Sequence, residues 1–144
     1  GDLRGSRSTD VCQWCHGAIG IGIARLGIKN AWKSYREDID IDIQNAILAS
    51  EKYWPNNTDS LCCGTLGSVE FINQCGKTLA REDLKVLARN RFAALMNAAN
   101  QNGGFTFHSN NPDFNLGLFR GAAGVGYTAL RQLDPNLPNV LLWE

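Results

Sequence analysis

Three short stretches of this 144-residue chain share one spelling: "HGAIGIG" from residue 16, "CGTLGSV" from 63 and "RGAAGVG" from 120. Each carries glycines three apart, at Gly17/Gly20, Gly64/Gly67 and Gly121/Gly124, and each runs on into an apolar segment. A glycine in a helix interior costs roughly 1 kcal/mol against alanine. A sequence that repeats this cost three times has a use for the missing side chains. Residues three apart share a helix face, so each pair predicts a face held close against a neighbouring backbone. From Gly17 to Gly64 is 47 residues and from Gly64 to Gly121 is 57. Those intervals fit a two-helix hairpin and predict an internal repeat of such hairpins. A dinucleotide-binding loop does not fit, because no strand precedes "GAAGVG" and its spacing departs from G-x-G-x-x-G.

The remaining pattern is helical as well. Residues 16 to 29 read as a first helix. Residues 34 to 53 open with acidic side chains and close with a lysine, as the helix dipole favours. A third helix is expected over 61–79, with Asp59 or Ser60 as its N-cap. The clearest amphipathic stretch is 81–100, where Leu84, Leu87, Ala88, Phe92, Leu95, Met96 and Ala99 recur at helical spacing. A last helix spans 118–133, followed by an extended tail, "DPNLPNVLLWE". "FTFH" at 105–108 reads as a short extended piece with His108 at the surface, and residues 1–10 as a loose polar lead-in. The fold class expected is all-α, in one domain over 11–144.

Two of the five cysteines, Cys62 and Cys63, are adjacent. Neighbouring cysteines are poorly placed to bridge each other, so the pair looks for a third partner. Cys15 precedes the first glycine pair as Cys62 and Cys63 precede the second. Superposed repeats would therefore gather all three at one end of adjacent helices. There the helix dipole should favour thiolates, the form that binds zinc. Cys12-x-x-Cys15 is also zinc-like spacing, so a closed structural site of Cys12, Cys15, Cys62 and Cys63 competes with an open three-thiolate site. Cys75 reads as a core residue. His16 follows Cys15 and suits an acid/base role, a hydrogen bond to a ligand, or a helix cap. Asp38, Asp40 and Asp42 imitate a calcium loop, but Ile43 replaces its glycine and Ala49 its final glutamate, so a solvated helix start is expected.

Lys plus Arg and Asp plus Glu both total 14, which gives no broad electrostatic attraction to nucleic acid or anionic membrane. No apolar run approaches the ~20 residues of a membrane span. The polar beginning is not a signal peptide, and an odd cysteine count suits a reducing compartment, so a cytoplasmic location is expected.

The motifs "WCHGAIGIGIARL" (14–26), "LCCGTLGSVE" (61–70) and "RGAAGVGYTALRQLDPNLPNVLLWE" (120–144) carry a family resemblance. The chain resembles the C-terminal part of the cyclase domain of class II lanthionine synthetases, related to the lanthionine synthetase C-like proteins. The resemblance implies an α/α-toroid with glycine-rich inner helices, of which this chain supplies a part. It implies a catalytic Zn2+ held by Cys15, Cys62 and Cys63, with Cys12 outside the site. Cys63 stands where the family usually has histidine, a three-cysteine variant found in a subgroup of class II enzymes. Three anionic ligands should leave a bound substrate thiolate more electron-rich than two cysteines and a histidine.

The implied reaction adds peptide cysteine thiols to dehydroalanine or dehydrobutyrine, forming the thioether rings of lanthipeptides; the family's proposed acid/base histidine belongs to the upstream half, and His16, from its place beside Cys15, is this chain's own candidate for that role. The implied partners are a dehydrated precursor peptide, the upstream half of the cyclase and a dehydratase domain. A partial toroid would also expose helix surface that invites self-association. The competing reading is a helical-repeat peptide-binding module with a structural four-cysteine zinc. A metal-free barrel with glycosidase-like chemistry would need paired carboxylates, and no convincing pair is present.

Overall fold

A computed structural model describes residues 11–32, 34, 36–107 and 115–143. The calls on residues 1–10 and His108 fall outside them. Among these residues five helices follow in order: α1 (Ala18–Ala31), α2 (Glu37–Lys52), α3 (Thr65–Thr78), α4 (Glu82–Asn102) and α5 (Ala122–Leu133). The chain is all-α, and among the described residues the only extended pairing is an isolated bridge between Cys12 and Gly17.

The hairpin repeat is visible in how the helices pack. α1 lies against α2 and α3 against α4, while α1, α3 and α5 stand side by side. The helices that open with the glycine motif therefore form one row, with α2 and α4 backing it. α3 sits in the middle of the row. Leu66, Val69, Phe71, Ile72 and Cys75 along it are fully buried. Ile19, Ile23 and Leu26 of α1, Ile43 and Ile47 of α2, and Leu84 and Ala88 of α4 pack around it in the same core.

Each glycine-led helix begins later than its apolar pattern suggests. Gly17, Gly64 and Gly121 are the N-caps of α1, α3 and α5, none with a side-chain capping bond. The residues before them fold back as loops. A Cβ on Gly17, Gly64 or Gly121 would come within 1.9, 2.4 or 2.2 Å of the carbonyl oxygen of Val11, Thr58 or Asn115. A Cβ on Gly20, Gly67 or Gly124 would come within 2.1, 2.6 or 2.3 Å of the carbonyl of Trp14, Leu61 or Leu118. In every case the carbonyl lies six residues earlier. The first helical N–H, on Ala18, Thr65 or Ala122, donates to that same outer carbonyl at 3.2, 2.8 and 2.8 Å. The glycine pairs thus make room for each repeat's own preceding loop, not for the neighbouring helix that the sequence pattern suggests. Close helix approach rests on Gly22, where a Cβ would meet the Phe71 ring at 2.5 Å and the Ala46 Cβ at 2.8 Å, and on Gly76, where it would meet the main-chain nitrogen of Lys85 in α4 at 2.9 Å.

Asp59 and Ser60 do not cap α3. Asp59 instead clamps its loop to the segment after α4, its N–H donating to Thr106 O at 2.7 Å and its Oδ2 accepting from Thr106 N–H at 2.7 Å. The tail runs as turns, not as an extended strand, and is fastened to the row. Arg131 of α5 pairs with Glu70 of α3 at 3.0 Å, both side chains almost fully buried. Arg131 also donates to Leu137 O, and Trp14 Nε1 donates to Leu141 O at 3.2 Å. At the start of α2, Asp42 and Asp40 pair with Arg25 and Lys29 of α1, both at 2.7 Å. These aspartates link two helices and form no calcium loop.

Candidate metal centre

The loops that precede α1, α3 and α5 meet at one end of the row and are laced by main-chain bonds. Trp14 N–H donates to Cys62 O at 3.1 Å, and Cys62 N–H donates to Phe119 O at 2.8 Å. The Phe119 ring stacks on Trp14, with centroids 5.4 Å apart and planes 1° from parallel. In repeat register, two residues before the N-cap glycine, Cys15, Cys62 and Phe119 are equivalent. One residue before it, His16, Cys63 and Arg120 are equivalent. The lacing therefore brings the cysteines of the first two repeats together.

Cys15 Sγ lies 3.2 Å from Cys63 Sγ, which lies 3.2 Å from Cys62 Sγ. All three sulfurs fall within 4.8 Å of one another, a group able to hold a metal ion. Tetrahedral zinc with Zn–S bonds of ~2.3 Å sets its sulfurs about 3.8 Å apart, within the range this group spans. The donor set is soft and anionic when ionised, and so fits zinc. Cys62 is buried, Cys63 half-buried and Cys15 exposed, which leaves one side open.

Without a metal, Cys62 and Cys63 hold their protons more tightly than a free thiol does. Burial, reinforced by the neighbouring Cys63 and Cys15, pushes Cys62 up to about 12. Burial also pushes Cys63 up, opposed by its hydrogen bond with Cys62 and, more weakly, by the positive charge of Arg120. The sequence argument expected helix dipoles to favour thiolates here. Desolvation and the crowding of three potential anions outweigh that effect, because the cysteines sit in the loops before the helix starts. A dication would reverse the balance.

Cys12 is not part of the group. It is 5% exposed, packs in the core cluster, and has its thiol pushed up by burial. Cys75 is a core residue, as its position in an apolar helix implies. His16 is exposed beside Cys15, and the capping role fails because Gly17 itself is the N-cap. The sequence reading missed the cavity of about 530 Å³ bordering Cys63, lined among others by Cys12, Lys52, Tyr53, Trp54 and Asn56. Only folding brings the 52–58 segment beside the cysteine loops, so no spacing rule could have found it.

A family model described as lanthionine synthetase C-like protein matches residues 1–142. The chain belongs to that family. No curated protein and no solved structure matches it. In this lanthionine synthetase C-like chain, the three-cysteine group sits where the glycine repeats converge. Among the described residues, no helix is long and apolar enough to cross a membrane.

Proposed function

We propose that this chain is the zinc-bearing C-terminal part of a class II lanthionine synthetase cyclase, in an α/α-toroid completed by an upstream half. The observation that carries the reading is the convergence of Cys15, Cys62 and Cys63 from two successive repeat loops, open on one side. Family membership supports the same chemistry.

In this reading Cys15, Cys62 and Cys63 would hold Zn2+ as thiolates, on the side that the exposed Cys15 leaves open. The ion supplies charge that keeps a peptide cysteine sulfur deprotonated at neutral pH. The cavity beside Cys63 seats the dehydrated precursor peptide, with Tyr53 and Trp54 offering apolar faces and Asn56 a side-chain amide. The thiolate sulfur bonds to the β-carbon of dehydroalanine or dehydrobutyrine, and the π pair moves onto the carbonyl oxygen as an enolate. His16, on the open rim, delivers a proton to the α-carbon and completes the thioether. A dehydratase domain of the same enzyme provides the dehydroamino acids in this scheme, in the cytoplasm.

The competing binding module needs Cys12 as a fourth ligand, and its burial in the core removes that support. Zinc stoichiometry tests the choice. One zinc per chain is expected, kept in Cys12→Ala and lost in Cys63→Ala. Loss in both variants would restore the closed structural site, and no zinc in the parent chain would refute the metal centre.

A further inference from the structure

The third repeat contributes no cysteine to the group, yet its loop is laced into it. Its residue in register with His16 and Cys63 is Arg120. Cys62 N–H donates to Phe119 O at 2.8 Å, which fixes the main chain one residue before Arg120 against the second repeat. From the other side, Asn115 Nδ2 donates to Arg120 O at 3.2 Å, and Gly121 N–H donates to Gly117 O at 2.8 Å. The backbone is thus braced in both directions. The Arg120 side chain is exposed and makes no hydrogen bond or ion pair to the described residues. Arg120 also stands in repeat register with Cys63, next to the residue whose carbonyl accepts from Cys62 N–H, so its side chain leaves the main chain at the rim of the sulfur group.

A cation in that place answers a need of the reaction. Zn2+ held by three cysteine thiolates would carry a net charge of −1, and the attacking substrate thiolate would bring a further negative charge beside it. Addition to the alkene then moves another negative charge onto the carbonyl oxygen of the dehydro residue. With no donor beside it, that charge would develop next to an anionic centre. A guanidinium offers planar paired N–H donors that match such an oxygen and stay charged at any working pH. Lys52 borders the cavity itself, but its ammonium lies 4.9 Å over the Tyr53 ring.

We propose that Arg120 is a catalytic residue that hydrogen-bonds the carbonyl oxygen of the dehydroamino acid and stabilises the enolate formed by thiolate addition. The proposal rests on the cyclase reading above. It divides the rim by repeat: the first brings the proton donor, the first and second the sulfurs, and the third the enolate's partner. The electron pair displaced from the alkene rests on the oxygen beside Arg120 and returns when the α-carbon takes its proton.

The test pairs Arg120→Gln with Arg120→Lys in the full chain. Arg120→Gln is expected to keep its zinc and lower kcat by about 10²–10³-fold, with KM little changed, and Arg120→Lys to recover part of the loss. A second readout avoids turnover. A cysteine-free peptide bearing a nitronate, an enolate mimic, should bind the metal-free parent chain about tenfold more tightly than metal-free Arg120→Gln. Parent-like turnover or equal nitronate affinity in Arg120→Gln would overturn the proposal, as would loss of its zinc, which would mean a structural role. If the parent chain neither binds zinc nor cyclises while nitronate binding still depends on Arg120, the cyclase reading fails and the anion-donor assignment survives.

Discussion

Cys12 and Cys15 share a spacing that suggests joint ligation, yet one is buried in the core and the other is exposed beside Cys63. The sequence shows the spacing. It does not show that the Cys12 main chain pairs with Gly17 and sends the Cys12 side chain inward. Burial should also sort the thiols by reactivity. Cys75, fully buried in α3, has its thiol pushed up to about 12 from an ordinary 9.0. A group whose pKa is raised by folding contributes stability below its unfolded value, and loses that contribution as pH rises through the folded one. For Cys75 that window runs from about pH 9 to about pH 12. In the metal-free folded chain near pH 9, iodoacetamide should therefore modify Cys15 first and spare Cys75 and Cys12 until urea unfolds the protein. Mass spectrometry of timed samples reads the order. Cys75 labelled as quickly as Cys15 would contradict the burial on which the assignment of site and core cysteines depends.

The helices were legible in the sequence and their starts were not. Apolar periodicity carries through the glycine motifs and makes the preceding loop look helical, so 16, 61 and 118 seemed to open helices that begin at Ala18, Thr65 and Ala122. The motif spacing did reveal the repeat, and with it the gathering of Cys15, Cys62 and Cys63. What a one-dimensional pattern hides is the neighbour that each glycine accommodates. The loop contacts turn this into a graded expectation. Gly20→Ala and Gly67→Ala drive a methyl into the carbonyls of Trp14 and Leu61. Each should cost about 1–3 kcal/mol, as overpacking does, and loosen the cysteine loop enough to weaken zinc binding. Gly126, also inside a glycine-led helix, has nothing within 4 Å of its Cβ position. Gly126→Ala should stabilise by about 0.5–1 kcal/mol through helix propensity and unfolded-state entropy. Urea unfolding of the three variants checks the order, and a destabilised Gly126→Ala would show that the glycines serve the helices generally and not the loops.

Across the whole molecule, the repeat predicts what its outer edge is missing. Ile21, Ser68 and Val125 each lie four residues after their N-cap glycine, yet Ile21 is 52% exposed where Ser68 and Val125 are 3% and 8% exposed. The first repeat thus leaves open a position that the second and third cover. Leu48 of α2, 62% exposed, borders the same face, and together with Val11, Ala18, Ile21 and Ala49 it lines an apolar groove of about 470 Å³. In the toroid reading a further hairpin of the upstream half fills this groove, as α1 and α2 flank α3. Supplied alone, the chain has only copies of itself to cover the same surface, and an apolar face of this kind favours association. Sedimentation velocity of the isolated chain should show concentration-dependent dimers or larger species. Ile21→Glu with Leu48→Glu should return it to a monomer with unchanged helical circular dichroism, because both side chains already face solvent. A parent chain that stays monomeric at high concentration would remove self-association, and addition of the separately expressed upstream half would then have to protect the groove from hydrogen exchange for the toroid reading to stand.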